Sequence, residues 1–242
     1  SEAGRDVVEI SAGMAGTVYI GAVTAPAIDL VVLALQRLKA EHPTLEANVE
    51  VGTSDFLVPR LLEGQLDFVI GRVPGHMDLA SFDVRPVQGE MVRLLVRHDH
   101  PLAGERRVTL AALTGFEWVM QPPGTPLRRA MDYSFAIHGL PLPRVSLVST
   151  SILLSLSMVR RSDAVVPVSD EAGALLAGTP GLSPAVTLLD LAERIEVSPY
   201  AMITRVGRHL SPTARLFYEE IGRLIDGQAL ARGAAALRLA GH

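Results

Sequence analysis

The feature that most constrains the fold is the alternation of strand-like and helix-like segments across residues 16–72. Residues 18–23 form a short apolar run, residues 45–51 alternate apolar and polar side chains, and residues 68–71 form another apolar run. Such segments predict strands, and the stretches between them have the longer apolar period of helices. The order strand, helix, strand, helix, strand predicts a parallel sheet whose carboxyl ends open onto one crevice, where small ligands bind.

Local signals bound the predicted helices. Thr24 and Pro26 begin the first helix, because proline is tolerated in a first helical turn, and Pro43 ends it. Thr53 begins the second helix as a capping residue, and Gly64 ends it. The rest of the chain predicts strands at residues 84–87, 91–96, 118–120, 145–148, 164–168 and 201–204, and helices at residues 126–138, 149–161 and 211–225. The inner side of the helix that starts at residues 149–151 is expected to carry Ile152, Leu153, Leu156 and Val159.

Composition excludes several classes of protein. A chain of 242 residues that is 48% hydrophobic can bury a sizeable core. The absence of cysteine excludes a disulfide framework, a thiolate metal site and a cysteine nucleophile, which fits a reducing cytoplasm. There is no secretory hydrophobic segment at the start, and the longest apolar runs are too short to span a bilayer, so a soluble protein with no membrane partner is expected.

The charge balance bears on nucleic-acid binding. The formal net charge is -4 and the isoelectric point about 6.0, whereas phosphate contacts need a basic face. Arginines occur in three adjacent pairs, which are more often solvated surface than one basic patch. We therefore expect that this polypeptide does not bind DNA by itself. The pairs are at positions 106 and 107, 128 and 129, and 160 and 161.

The order of several short motifs resembles the effector-binding domain of LysR-type transcriptional regulators, from about residue 16 to about residue 224. Within that family the chain looks similar to the regulators that respond to sugars and aromatic acids. Each motif is short, and it is their order along the chain that is specific. The motifs are Thr17-Val-Tyr-Ile-Gly21, Glu41-His42-Pro43, Leu61-Leu-Glu-Gly64, Leu66-Asp67, His100-Pro101-Leu102 and Val165-Val-Pro167.

The resemblance implies an α/β fold of the type 2 periplasmic-binding-protein-like class, with two Rossmann-like subdomains, a central cleft and two hinge crossings. Subdomain I is expected at residues 16–90 plus 200–226 and subdomain II at residues 91–199. Residues 1–15 are expected to be the end of a linker helix or a tail, and residues 227–242 a helical C-terminal tail. An effector that bridges the subdomains would stabilise one arrangement of them by a population shift.

The resemblance also implies the partners. Full-length members bind DNA through an N-terminal winged helix-turn-helix, for which nothing before Gly16 is long enough, so a truncated regulator is expected. A homo-oligomer is expected, a dimer that becomes a tetramer in the full-length protein. The apolar residues 31–35 of the first helix either face a neighbouring subunit or pack in the core. The expected effector is a small molecule: a sugar, a sugar acid or an aromatic carboxylate.

Candidate effector-binding residues follow the predicted strands. Thr24, Thr53 and the serine-rich residues 149–151 lie at helix starts, where a hydroxyl, free N–H groups and the helix dipole together favour an anion or a polyol. Each is equally consistent with an ordinary N-cap. Arg72 follows the third strand, where its guanidinium can bind a carboxylate with two hydrogen bonds or pair with Asp67 or Glu63.

By resemblance, Thr24, Thr53 and Arg72 are the positions that bind dicarboxylates in members of the family. Gln121 and Thr125 would face them from the other subdomain, although the prolines around them also suit a merely rigid loop. The family commonly has a glycine before the strand at residues 164–168, where this chain has Arg161-Ser162-Asp163, so that turn must be built differently. The remaining effector-binding candidates are Ala25, Thr150, Ser151 and Pro167.

Catalysis has little support in the sequence, and no catalytic residue, metal site or cofactor is expected. His98-Asp99-His100 contains ligand-type residues but precedes Pro101, which favours a solvated turn. No spacing typical of a zinc protease, a serine hydrolase or a phosphate loop occurs. The first alternative function is a periplasmic solute-binding protein of a transporter, which requires export. The second is an enzyme of the same architecture, such as a deaminase acting on a porphyrin precursor, which the absence of cysteine disfavours.

Overall fold

The computed structural model describes residues 16–87, 89–178 and 185–240. The chain divides into two compact units: residues 1–88 and 199–242 form unit 1, and residues 89–198 form unit 2. Residues 1–15, for which a linker end or a tail is predicted, lie outside the described residues.

Eleven strands occur in the described part of the chain. In chain order they are β1 (Thr17–Ala22), β2 (Glu46–Val51), β3 (Phe68–Gly71), β4 (Phe82–Pro86), β5 (Glu90–Arg97), β6 (Glu117–Met120), β7 (Arg144–Val148), β8 (Val166–Ser169), β9 (Val186–Leu188), β10 (Glu196–Val197) and β11 (Ala201–Arg205).

The first helix, α1, is continuous over residues 24–41 and has an α-helical start (Thr24–Pro26), a π-helical turn (Ala27–Val31) and an α-helical remainder (Val32–Glu41). Two short 3-10 helices lie at Leu79–Ser81 and Leu110–Leu113. The other helices are α2 (Ser54–Leu62), α3 (Pro126–Ile137), α4 (Ile152–Val159), α5 (Asp170–Gly178) and α6 (Pro212–Ala240). No helix in the described ranges combines the length and apolarity needed to cross a bilayer.

The predicted order of elements over residues 16–72 is confirmed. Strands β1, β2 and β3 are parallel, and unit 1 has a five-stranded sheet in the order β2-β1-β3-β11-β4. Strand β11, which enters from the far end of the chain, is antiparallel to both of its neighbours.

Helices cover both faces of this sheet, as successive strand residues show. Ile70 of β3 packs with α1 and α6, whereas Val69 packs with α2. Met202 and Ile203 of β11 divide between the same two clusters. Because strand side chains alternate between faces, this division accounts for the continuous apolar runs in β1 and β3.

The apolar residues 31–35 of α1 have mixed environments. Val31 is buried in the core of unit 1, whereas Val32 is 48% exposed. Leu33 and Leu35 are partly buried against the same core. Core packing therefore accounts for Val31, Leu33 and Leu35.

Unit 2 contains a second sheet and its own core. Strand β5 pairs antiparallel with β8, β9 and β10, while β6 and β7 are parallel to each other. A bridge between Trp118 and Val165 joins β6 to the start of β8. Trp118 is fully buried, and its ring meets that of Phe135 edge-on with centroids 5.4 Å apart.

Three predictions about elements need correction. Strands β9 and β10 had no counterpart in the sequence-based prediction, because segments of two or three residues show no period. Helix α5 also had none, and its two glycines weaken the helix signal. The helix predicted to end at residue 225 and the helical tail predicted after it form one continuous helix, α6, which runs to Ala240. On α4, Val159 is buried as predicted. Leu153 is 75% exposed, contrary to the prediction, and Ser155 is buried instead.

The prediction of a solvated turn at residues 98–100 is wrong for His100, which is only 4% exposed. Its Nδ1 accepts a hydrogen bond from the Leu102 N–H at 3.1 Å, and its ring centroid lies 4.6 Å from that of Phe116. Burial lowers the pKa of His100 below its ordinary 6.5, since the charged ring is penalised away from water, and nearby Arg97 adds to this while Asp163 opposes it. His98 and Asp99 are exposed, as predicted.

Candidate functional site

Three of the predicted site residues lie at one edge of the unit 1 sheet. The register pairs Ala22 at the end of β1 with Val51 of β2 and with Ile70 of β3. Beyond the ladder, the Val23 N–H donates to the Ile70 carbonyl at 2.9 Å, and the Gly52 N–H donates to the Ala22 carbonyl at 3.2 Å. The residues that follow, Thr24, Thr53 and Arg72, therefore leave the sheet side by side.

Thr24 is the first residue of α1 rather than its N-cap, which corrects the N-cap interpretation for this position. Val23 occupies the cap position with extended backbone, and it provides no capping side chain. The first turn is closed by the Ala27 N–H, which donates to the Val23 carbonyl at 3.1 Å. Ala25 is 1% exposed, so almost none of this residue is open to a ligand.

Thr53 occupies the N-cap position of α2, with φ -77° and ψ 155°. Its hydroxyl makes no capping hydrogen bond. Instead its carbonyl accepts from the N–H groups of Phe56 and Leu57, each at 3.0 Å. The N-cap alternative is therefore correct for the backbone of Thr53 but not for its hydroxyl.

Arg72 is held through both its backbone and its side chain. Its N–H donates to the hydroxyl oxygen of buried Ser54 at 2.9 Å. Its guanidinium carbon lies 5.8 Å from the centroid of the Tyr200 ring, within the range of a cation–π contact. Sequence reasoning missed both Ser54 and Tyr200 as neighbours of Arg72.

The two carboxylates considered as partners of Arg72 have other contacts. Asp67 accepts the Tyr19 N–H at 2.8 Å and pairs with Arg208 at 3.4 Å. Glu63 accepts a hydrogen bond from Gln65 at 2.9 Å. Asp67 therefore serves to join β1 to the turn after β11.

In unit 2, Gln121 and Thr125 follow β6, as predicted. The Thr125 hydroxyl donates to the Pro122 carbonyl at 2.9 Å, and the residue is buried. Gly124 has φ 87°, a left-handed conformation that favours glycine, and Pro126 is the first residue of α3. These features support the rigid-loop interpretation for Thr125, while the half-buried Gln121 accepts from Arg128 through its carbonyl at 3.4 Å.

Thr150 and Ser151 lie at the same edge of unit 2 as Gln121. Strands β6 and β7 are parallel, and the Ser149 N–H donates to the Met120 carbonyl at 2.9 Å. The Ser151 hydroxyl accepts the Leu154 N–H at 3.3 Å, so Ser151 is an ordinary N-cap of α4. Thr150 is exposed.

Pro167 is buried in β8, opposite Leu94 of β5. The Val165 N–H donates to the Glu117 carbonyl of β6 at 2.9 Å, and the next donor in that ladder would be residue 167. Proline has no N–H, so the pairing with β6 stops there.

The turn before β8 is built without the expected glycine. The Ser162 hydroxyl donates to the Met158 carbonyl at 2.9 Å and accepts the Ala164 N–H at 3.3 Å. Asp163 pairs with Arg97 at 2.6 Å. A serine side chain thus satisfies the helix end that a glycine commonly satisfies in the family.

The described residues contain no group of three or more His, Cys, Asp or Glu side chains placed to hold a metal ion.

Comparison with known proteins identifies the family. The profile of the LysR substrate binding domain matches residues 11–225. The HTH-type transcriptional regulator GbpR of Rhizobium radiobacter is 41% identical over 177 residues, which cover 73% of this chain and 59% of that protein. GbpR of Azospirillum brasilense is 36% identical over 215 residues, which cover 88% of this chain and 62% of that protein. The chain thus spans less than two thirds of the length of these relatives.

Solved structures show the same fold. The effector-binding domain of QuiR in complex with shikimate matches with a TM-score of 0.71 at 14% identity, covering 88% of this chain and 98% of that one. The regulatory domain of Synechocystis CcmR in complex with 2-PG matches with a TM-score of 0.71 at 18% identity, covering 86% and 97%. These likenesses confirm the predicted α/β, type 2 periplasmic-binding-protein-like fold. The chain therefore belongs to the LysR family of transcriptional regulators, and residues 11–225 are its substrate-binding domain.

Proposed function

We propose that this domain senses a sugar, a sugar acid or an aromatic carboxylate, and that the carboxyl edge of β1, β2 and β3 is the core of its effector site. The observation that carries the proposal is the arrangement of Thr24, Thr53 and Arg72 on three adjacent parallel strands. A guanidinium, two hydroxyl groups and two helix starts on one edge suit a ligand that is anionic or rich in hydroxyls. The complexes of QuiR with shikimate and of CcmR with 2-PG support a small polar effector.

We further propose that residues of unit 2 supply a second set of contacts. Gln121, Thr150 and Ser151 follow two parallel strands that end at one edge of that unit. Thr125 and Pro167 would contribute shape rather than hydrogen bonds, since the Thr125 hydroxyl is occupied by its own loop and Pro167 has no N–H. A bound effector would shift the population of the domain's conformations, which is how the signal would be transmitted.

The wider role of the protein is proposed from its family. A winged helix-turn-helix outside this sequence would bind DNA, and the domain would assemble as a dimer, and as a tetramer in the full-length regulator. Such a protein acts where the DNA is, in the cytoplasm. The assignment of GbpR as a transcriptional regulator favours this role over a transporter's solute-binding protein or an enzyme.

A thermal-shift screen tests the site. The probes are D-gluconate, D-glucose, benzoate and shikimate. Comparing D-gluconate with D-glucose tests whether a carboxylate is required, and comparing benzoate with shikimate tests whether an aromatic ring or a polyol is preferred. A ligand selective for the folded state stabilises it by about 2.7 kcal/mol at a hundred times its Kd. We expect Arg72→Gln to abolish the shift caused by a carboxylate probe while leaving the ligand-free melting temperature within a few degrees.

Arg194→Gln is the matched control, because Arg194 has a 76% exposed side chain paired with Glu196 on the surface of unit 2. This variant should respond to the probes as the wild type does. A carboxylate-dependent shift that survives in Arg72→Gln contradicts the anchor role of Arg72. A shift with D-glucose alone would select the sugar among the proposed effectors and exclude the sugar acid and the aromatic carboxylate.

A further inference from the structure

We propose that Tyr200 is a positioning residue for Arg72, a role that rests on the proposed function of Arg72 as the anion anchor. The Tyr200 ring acts as a platform that orders the Arg72 guanidinium before a ligand arrives. Neither the family resemblance nor the sequence spacing indicates this pair, because the two residues are brought together only by the pairing of β3 with β11.

The ladder between these strands fixes the pair. Ala201 of β11 lies opposite Gly71 of β3 in antiparallel register. The preceding residue of one strand, Tyr200, is therefore level with the following residue of the other, Arg72. The measured contact agrees, with the guanidinium carbon 5.8 Å from the ring centroid.

The platform itself is rigid. Tyr200 is 3% exposed and belongs to the core of unit 1. Its carbonyl accepts the Val87 N–H at 3.0 Å, which ties its backbone to the segment after β4. A buried ring with an anchored backbone offers one fixed face to its neighbour.

Contact with that ring has a defined consequence for Arg72. An arginine side chain loses substantial rotamer entropy when a ligand immobilises it. A guanidinium that already contacts a ring has less of this freedom to lose. The Ser54 hydroxyl orders the backbone of Arg72 and Tyr200 orders its far end, so the anchor is held at both ends.

The structural half of the proposal can be measured without any ligand. In the wild type, the Arg72 Hε and Cδ protons should show ring-current shifts in NMR spectra, with Arg72→Gln identifying the resonances. Tyr200→Phe keeps the ring and should keep these shifts. Tyr200→Leu replaces the ring with a smaller apolar side chain and should abolish them.

Acetate, a small carboxylate, tests the functional half in the same samples. Titration should move the Arg72 Hε resonance with saturation in the wild type and in Tyr200→Phe. In Tyr200→Leu the Kd for acetate should rise about three- to tenfold, because Arg72 must then be ordered at the moment of binding. Resonances of residues far from Arg72 should keep their wild-type positions in Tyr200→Leu, which a general loss of structure would not reproduce.

The outcomes separate the two proposals. Absent ring-current shifts in the wild type, or equal acetate affinity in Tyr200→Leu and the wild type, overturn the positioning role. The ring-current measurement on the wild type does not depend on whether Tyr200→Leu folds. A third outcome is that the ring-current shifts require the Tyr200 ring but the Arg72 resonances do not respond to acetate. That result supports the positioning role of Tyr200 and contradicts the role of Arg72 as a carboxylate anchor.

Discussion

Gly71 has no side chain, which leaves room for the Ser54 hydroxyl that accepts a hydrogen bond from the Arg72 N–H. A Cβ atom at this position would lie 2.9 Å from the Ser54 hydroxyl oxygen, the atom that accepts the Arg72 N–H. Gly71→Ala should therefore displace Ser54 and destabilise the fold by about 1 to 3 kcal/mol, as overpacking of a core does. Urea unfolding measures this loss.

Gly75→Ala is the matched control, because a Cβ atom there meets nothing within 4 Å. Its free energy of unfolding should stay within about 0.5 kcal/mol of the wild type or rise slightly, since alanine restricts the unfolded chain. If Gly71→Ala and Gly75→Ala change the free energy of unfolding equally, contact with Ser54 is not what makes a side chain at position 71 unfavourable.

His100 predicts a pH dependence of stability. Because burial lowers its folded pKa below the ordinary 6.5, the unfolded chain takes up a proton at higher pH than the folded chain does. The contribution to stability is present above pH 6.5 and is lost as the pH falls below it. The free energy of unfolding of the wild type should therefore fall relative to that of His100→Asn when urea titrations are repeated at decreasing pH.

Asparagine suits this test because its side-chain oxygen can accept the Leu102 N–H in place of the Nδ1 of His100. His76→Asn changes an exposed histidine and should keep the wild-type pH profile. A His100→Asn variant with an unchanged profile would exclude His100 as the source.

At the residue scale, sequence reasoning located the helix starts but not the use of each hydroxyl. Ser151 caps its helix through the side chain, Thr53 caps through its carbonyl, and Thr125 bonds its own loop. All three precede a helix, so their sequence signals are alike. Side-chain rotamers and local loop geometry, which depend on neighbouring packing, decide among these uses.

At the element scale, Gly222 and Gly227 of helix α6 have different surroundings. A Cβ atom on Gly222 would lie 2.2 Å from the Arg85 Nη1 atom, whereas on Gly227 it would meet nothing within 4 Å. Arg85 pairs with Asp226 at 3.0 Å across the surface of the helix. Gly227→Ala should stabilise the fold by about 0.5 to 1 kcal/mol, the usual gain of alanine over glycine inside a helix.

Gly222→Ala should gain less, because the Arg85 guanidinium must move away from Asp226, at a cost of up to about 1 kcal/mol. In an Arg85→Ala background the two glycine substitutions should give equal gains, which thermal or urea unfolding can resolve. Unequal gains in that background would show that Arg85 is not the cause of the difference.

Elements with a strong hydrophobic pattern were predictable from the sequence, whereas the shortest strands were not. The alternation over residues 16–72 gave the parallel part of the unit 1 sheet, because apolar runs mark strands covered on both faces. Strand β10 has two residues and β9 has three, which is too few for any period to appear. Helix α6 continues past residue 225 because isolated glycines such as Gly227 weaken a helix without ending it.

At the scale of the whole molecule, the charge predicts how the domain behaves toward DNA. With a net charge of -4, the chain lacks the excess of Lys and Arg that releases counterions from phosphate. We expect no saturable binding of a labelled DNA duplex by fluorescence anisotropy, even at about 50 mM salt, where phosphate contacts are strongest. A salt-dependent, saturable signal from this chain alone would contradict the prediction.

The sequence by itself determined the α/β class, the order of the first five elements and the strand ends at which Thr24, Thr53 and Arg72 lie. These properties depend on local periods and turn residues, which act over a few positions. Only the tertiary structure decided that Tyr200 lies beside Arg72, that Ser54 holds its backbone and that His100 is buried. Such contacts depend on which distant strands pair, and strand pairing minimises the free energy of the whole unit rather than of any one segment.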